Sequence, residues 1–400
     1  MKILQINSVC GRGSTGRIVS DIHRALLENG HESYVAYGRG SSVGCLEAIR
    51  IGTDFDVYMH VLKTRLFDLH GFGSKKATAR FLRRVEEIDP DIIHLHNIHG
   101  YYINIELLFK YLKEKQKPVV WTLHDCWAFT GHCTYFDFVG CDRWKTGCYH
   151  CPQKRRYPAS WILDRSRKNW QDKKRLFTGI RNTILVTPSK WLADLVKQSF
   201  LKEYPVEVIP NGIDTEVFKP TQGDFRKKYN IEGKFIILGV ANKWEERKGL
   251  KYFFELANML RDDEVIVLVG LTKKQIKELP KGIIGIQRTN SVKELAEIYT
   301  AADVFVNPTF EDNYPTVNLE AQACGTYVIT FASGGAPETI VRTGTVINDK
   351  TSEKIREAID NVRRSGYPKN KTMIRDVKDM IDDYIELYNL MAKNRRTFSN

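Results

Sequence analysis

Two regimes of hydrophobic and polar positions alternate along the chain. Short apolar runs bounded by glycine or polar turns read as buried strands. Stretches with apolar residues three and four apart read as helices. In the first half the apolar runs fall at 2–9, 33–37, 91–96, 119–123, 184–187 and 206–209, with helical patterns between most of them. Ile18, Ile22, Ala25 and Leu26 follow helical spacing, which predicts an amphipathic helix over 17–29 stopped by Gly30. The pattern then restarts, with strands expected at 234–241, 265–270, 283–287 and 304–307 and helices at 250–260, 272–279, 292–302 and 316–324. Strand–helix alternation predicts parallel sheets covered on both faces. The expected fold class is therefore α/β, with two doubly wound, Rossmann-like domains. The Pro-Asn-Gly turn at 210–212 separates them into 1–210 and 211–373. A last amphipathic helix (Val377, Met380, Ile381, Tyr384, Ile385, Tyr388) lies in 374–400, and is expected to return to the first domain. Ligands of such sheets bind beyond the carboxyl ends of the strands, so two facing domains predict a site in the cleft between them.

Composition narrows the classes. The chain has 400 residues, 42% hydrophobic and 27% charged, which excludes a disordered or collagenous chain. No apolar run approaches the length of a membrane-spanning helix, and the N-terminal run is too short for a signal peptide. A cytoplasmic protein with reduced thiols is the expectation. The net charge of +13 points to anionic partners without choosing among them.

Two motifs carry candidate chemistry. Gly11-Arg12-Gly13-Ser14-Thr15-Gly16 is a GxGxxG turn between a strand and a helix. The second strand ends Tyr37-Gly38-Arg39, without the acid a nicotinamide dinucleotide requires, so the loop reads as an anion or sugar site built on helix-terminal N–H groups, or as a tight turn. The second motif runs from Asn307 to Gly325. A strand ends, a loop carries Glu311 and Asp312, and a helix starting near Pro315 carries Glu320. Carboxylates accept from vicinal hydroxyls and so suit sugars. Lys248, after the first strand of this domain, suits a diphosphate.

These residues resemble the retaining, nucleotide-sugar-dependent glycosyltransferases of family 4, which have the GT-B fold. The marks are GSTGR in the first loop, PDIIHLHN at 90–97, PSKWL at 188–192, VIPNGID at 208–214 and the run from Ala301 to Glu338. The resemblance implies transfer of a sugar from a nucleoside diphosphate to an acceptor hydroxyl with anomeric retention, in surface polysaccharide or capsule biosynthesis. It implies a donor-site pair of a carboxylate and a Glu with seven residues between them. Glu320 matches the second member. Asp312 has seven intervening residues and Glu311 eight, so Asp312 is favoured and Glu311 kept as the alternate. Gly13, Asn313, Thr316 and Val317 complete the implied donor set. His124 matches the family histidine near the transferred sugar. The family's Arg, six residues before Lys248, is replaced by Asn242, and Arg247 is the candidate substitute. Gly16, Arg17 and Asn97 fall on the acceptor side. With these cations no catalytic metal is expected. The acceptor would be a glycan or a lipid-linked oligosaccharide. An inactive sugar-nucleotide-binding relative and a nucleotide-sugar epimerase remain alternatives.

An insertion over 126–175 stands apart. Cys133, Cys141, Cys148 and Cys151 are spaced for a structural zinc, against a reading as small buried residues among aromatics. Eleven Lys/Arg against two acids fill 143–175, with Trp161 and Trp170 interleaved. No nucleic-acid module accompanies them, so nucleic acid is not an expected partner. An anionic membrane surface is, which would place the chain peripherally at the inner face of a membrane; a solvated charged helix is the plainer alternative.

Overall fold

The computed structural model describes residues 1–397 apart from Leu46, Arg342 and 368–372, with the backbone alone for 394–397. Internal contacts divide the chain into two units, Met1–Pro210 with Met380–Asn400, and Asn211–Asp379, residues 398–400 lying outside the described set.

The first unit is built on a seven-stranded parallel sheet. Its strands are β1 (Lys2–Asn7), β2 (Glu32–Tyr37), β3 (Ala48–Arg50), β4 (Ile92–Leu95), β5 (Val119–Thr122), β6 (Thr183–Thr187) and β7 (Val206–Val208). They lie in the order β3-β2-β1-β4-β5-β6-β7, every pair parallel. The second unit has six parallel strands: β8 (Phe235–Val240), β9 (Glu264–Val269), β10 (Ile283–Ile286), β11 (Val304–Asn307), β12 (Tyr327–Phe331) and β13 (Gly344–Ile347). Their order is β10-β9-β8-β11-β12-β13, which repeats the first six positions of the other sheet.

Both are doubly wound, as the alternating pattern predicts. Covering both faces of a parallel sheet requires nearly continuous apolar strands. Accordingly Ile3, Leu4 and Ile6 of β1 and Ile266, Val267 and Leu268 of β9 are sealed from water. Helix starts are set by side-chain caps: Asn104, Ser189, Ser291 and Thr351 each accept an N–H from the first turn, replacing one of the bonds a helix start lacks.

The first helix begins earlier than its apolar spacing suggests, at Gly13, so the glycine-rich turn supplies its first residues. Strands β3, β12 and β13 and helix Asp54–Phe67 were not expected. The final helix spans Val377–Thr397, and within the first unit Tyr388 and Tyr384 are fully buried. Tyr388 Oη bonds His94 Nδ1 at 2.6 Å, and Tyr384 Oη bonds Thr122 Oγ1 at 3.0 Å.

The basic insertion does not form one solvated helix. Helix Ser166–Phe177 buries Trp170 and Lys173. Lys173 donates to the carbonyls of Trp127 (2.7 Å) and Thr130 (3.0 Å), its ammonium 3.4 Å from the Trp127 ring centroid. Burial pulls its pKa down to about 7. No described helix is long and apolar enough to cross a membrane.

Candidate functional site

In each sheet the strand order reverses between the first and fourth strands of the unit, and loops leaving such a pair at its carboxyl end diverge and leave room for a ligand. The expected residues fall at these two places.

In the second unit, β8 leads through a short turn, Glu246–Lys248, into helix Leu250–Ala257, and β11 leads through 308–315 into helix Thr316–Ala323. The two loops are tied together. Phe310 N–H donates to the Arg247 carbonyl at 2.8 Å, and Arg247 Nη1 donates to the Glu311 carbonyl at 3.0 Å. Lys248 Nζ meets Asp312 Oδ2 at 2.5 Å. Gly249 is needed between them: its φ is +74°, and a Cβ there would stand 2.2 Å from the Pro308 carbonyl oxygen. Gly334 performs the same service on the other side, its φ +56° and a Cβ only 2.0 Å from the Asp312 carbonyl oxygen.

The two neighbouring acids therefore differ. Asp312 reaches the cation, and Glu311 is buried. Glu320 lies buried one helical turn into Thr316–Ala323, accepting from Tyr299 Oη at 3.1 Å and Thr316 Oγ1 at 3.4 Å. Asn313 is buried beside Asp312, and Thr316 and Val317 are half-buried in the first turn, where backbone N–H groups point along the helix axis. Asn242 is exposed. Arg247, expected as a phosphate cation, uses its guanidinium to brace the acid loop. An Asn307–Asn318–Thr339 chain of side-chain bonds (2.9 and 2.8 Å) fixes this helix to its strand, a support that spacing did not reveal.

In the first unit, His124 follows β5 and Asn97 follows β4. His124 Nε2 bonds His96 Nδ1 at 3.1 Å, and His96 Nε2 bonds Gln5 Oε1 at 3.2 Å. Burial lowers the His124 pKa to about 4, against the upward pull of Asp125. At neutral pH His124 is thus an uncharged imidazole, able to hydrogen-bond a hydroxyl but not to act as a cation. Asp125, next in sequence, bonds His99 Nε2 at 3.0 Å, and His99 Nδ1 lies 3.3 Å from Tyr157 Oη. Burial would raise the Asp125 carboxyl, but His99 and the Trp127 N–H hold it low. His96, His99 and Asp125 receive no role from the sequence alone, although His96 lies within the PDIIHLHN motif and Asp125 follows His124.

Asn97 N–H donates to Asn7 Oδ1 at 3.2 Å, which brings the ends of β1 and β4 together. Gly11 N–H bonds the Gly16 carbonyl at 2.9 Å, closing the glycine-rich turn; Gly13 is open, and Arg17 is exposed. Segment 41–45 packs on this turn, with Arg12 Nη2 donating to Ser41 Oγ at 2.6 Å. The side chains of Cys10 and Cys45 meet there.

The four insertion cysteines spaced for zinc lie in the first unit. Cys133 hydrogen-bonds Cys151, and Cys148 accepts the Gly131 N–H at 3.1 Å. Burial pushes the Cys148 thiol up to about 12. Among the described residues no three His, Cys, Asp or Glu side chains stand as a metal-holding group.

Comparison with known proteins places these loops in context. The Glycosyltransferase Family 4 model matches residues 15–217, and the model named Glycosyl transferases group 1 matches 234–364. WcaC of Escherichia coli (strain K12), named for colanic acid biosynthesis glycosyl transfer, is 25% identical over 97% of this chain and 99% of its own. An N,N'-diacetylbacillosaminyl-diphospho-undecaprenol alpha-1,3-N-acetylgalactosaminyltransferase of Campylobacter jejuni is 29% identical over 50% of this chain and 59% of its own. Among solved structures, Anabaena HepE in complex with UDP and glucose superposes with a TM-score of 0.67 at 14% identity, covering 97% of this chain and 99% of that one. The fold shared with such neighbours is GT-B.

Proposed function

The chain belongs to glycosyltransferase family 4, and from that premise we propose that it transfers a sugar from a nucleoside diphosphate to a polysaccharide or lipid-linked acceptor with retention of the anomeric configuration. The observation that carries this reading is the Lys248–Asp312 contact, held at the reversal point of the second sheet by two loops bound to each other.

The chemistry follows from these groups. As the glycosidic bond to the diphosphate breaks, negative charge grows on the leaving oxygen. In this reading Lys248 and the N–H groups at the start of helix Thr316–Ala323 stabilise it, and no catalytic metal is called for. Asp312 and Glu320 accept from sugar and ribose hydroxyls. His124, neutral at working pH, donates or accepts one bond to the transferred sugar. The complex of HepE with UDP and glucose makes UDP-glucose the first donor to try. The diphospho-undecaprenol substrate in the Campylobacter relative's name makes a lipid diphosphate the first acceptor class.

The test is a thermal-shift panel of nucleoside diphosphates and their sugars, followed by transfer from the best donor to lipid-diphosphate and glycan acceptors, with the product anomer read by NMR. Donor binding with no transfer to any acceptor would support the inactive relative. Conversion of the donor sugar without an acceptor would support an epimerase.

A further inference from the structure

Helix Asp54–Phe67 of the first unit carries large apolar residues on its solvent face. The residues it buries are polar: His60, whose ring accepts the Gly71 and Gly73 N–H groups, and Thr64. On the opposite face Phe55, Tyr58 and Leu62, three and four apart, project into solvent, with Phe55 and Tyr58 71% exposed. Val57 and Val61 are half-buried, so the helix is apolar round most of its circumference and still holds Phe55 and Tyr58 in water, which packing within this unit does not explain.

A second apolar element lies against it. Segment 161–163 is strapped to the last turn of this helix by Trp161 N–H to the Arg65 carbonyl (2.7 Å) and Leu163 N–H to the Leu66 carbonyl (3.2 Å). Arg65 Nη1 returns a bond to the Ala159 carbonyl at 2.9 Å and stacks its guanidinium over the Trp161 ring. Trp161 and Ile162 are each 63% exposed, and Leu163 is half-exposed. These bonds fix the loop, so its apolar tips are held outward rather than left to collapse. Contiguous exposed apolar surface of this kind marks an interaction site.

The fringe is cationic. Arg65 and Lys154, whose Nζ donates to the Ile162 carbonyl at 3.0 Å, flank the loop, and Lys63 follows Leu62 on the helix. The acids nearby are engaged: Asp54 pairs with Arg50, Asp56 closes the helix cap with Thr53, and Asp164 accepts from Cys151 and Ser166. Aromatic and aliphatic tips inside a basic rim match a bilayer with acidic headgroups: the rings sit at the headgroup level and the cations meet phosphate.

We propose that this face, Phe55, Tyr58 and Leu62 with Trp161, Ile162 and Leu163, docks the chain on an anionic membrane surface. It relocates the membrane contact that the basic run alone suggested, because Trp170 and Lys173 of that run are core residues.

The test is flotation of the full chain with vesicles of phosphatidylcholine alone or mixed with phosphatidylglycerol. The wild type should float with the mixed vesicles and be released by salt. Phe55→Ser/Trp161→Ser should lose about tenfold in partitioning with an unchanged melting temperature, because two interfacial rings are removed from exposed positions. Should the double variant melt early, Trp161→Ser alone is read in its place. Flotation that is equal on both vesicles, or unaltered in the variant, overturns the proposal. So does light scattering that finds a dimer in the wild type and a monomer in the variant, because the face is then a contact between copies. No donor enters the assay, so its failure leaves the glycosyl-transfer reading untouched, and an inactive enzyme that still floats leaves this proposal untouched.

Discussion

Removing the charge of Asp312 should tighten nucleotide binding while it damages turnover. Without ligand, Lys248 spends its charge on Asp312 at 2.5 Å. Coulomb attraction at that distance is roughly 2 kcal/mol in bulk water and about 7 kcal/mol at an effective dielectric of 20. The side chains remain 20% and 18% exposed, so solvation returns most of this and leaves on the order of 1 kcal/mol. A diphosphate arriving at Lys248 has to displace that contact. Asp312→Asn is therefore expected to bind UDP, or whichever nucleoside diphosphate the panel selects, about fivefold more tightly by calorimetry. Lys248→Met should bind it roughly 10- to 150-fold more weakly, the loss of a hydrogen bond to a charged group. In the double variant the gain from Asp312→Asn should vanish, because no cation is left to release. Sugar transfer by Asp312→Asn should fall despite the tighter binding, since the carboxylate no longer accepts from the sugar. If Asp312→Asn weakens nucleotide binding equally with and without Lys248, then Asp312 holds the nucleotide itself and the pairing argument is wrong.

The remaining predictions concern the first unit. His124 has a folded pKa of about 4 against an unfolded value near 6.5, so the unfolded chain binds more protons between these values and stability is lost as pH falls through that window; urea midpoints should drop there, and less steeply for His124→Gln. Tyr388→Phe leaves His94 Nδ1 buried without its 2.6 Å partner and should cost about 1–3 kcal/mol by urea unfolding followed through tryptophan fluorescence; a cost below about 0.5 kcal/mol would mean the helix is not pinned there. The spacing of Cys133, Cys141, Cys148 and Cys151 leads us to expect one zinc per chain, lost to chelators with a lower melting temperature; protein purified without chelator that carries no zinc removes that expectation.

Much of the fold was legible because burial on both faces of a parallel sheet leaves long apolar runs such as 235–240 and 264–269. Apart from β12, an interior strand whose run 327–331 is as long as others that were legible, what escaped was short or without a clear stripe. Strand β3 is three residues at a sheet edge, and β13 is a four-residue edge strand starting at a glycine, neither with a run long enough to register. Helix Asp54–Phe67 was invisible because its apolar residues lie all round it, Phe55, Tyr58 and Leu62 outward and Val57, Val61 and Leu66 half-buried, so no single stripe stands out. At the site, residue types and spacing located the acids and favoured Asp312 over Glu311, but they could not show how differently the two are held. That difference comes from backbone closeness at Gly334 and from the bond from Arg247 to the Glu311 carbonyl. The His96–His124 bond joins residues following neighbouring strands 28 apart in sequence, a pairing that only strand order supplies.

The helix that ends the described chain has a bearing on synthesis. In a released chain cut short before 380, residues 211–379 are complete and can close their sheet while the first unit still lacks Met380, Tyr384 and Tyr388. The part begun first is thus finished last. Without that helix His94 and Thr122 lose their tyrosine partners, and such a truncated chain should carry one protease-resistant half, the later-made one.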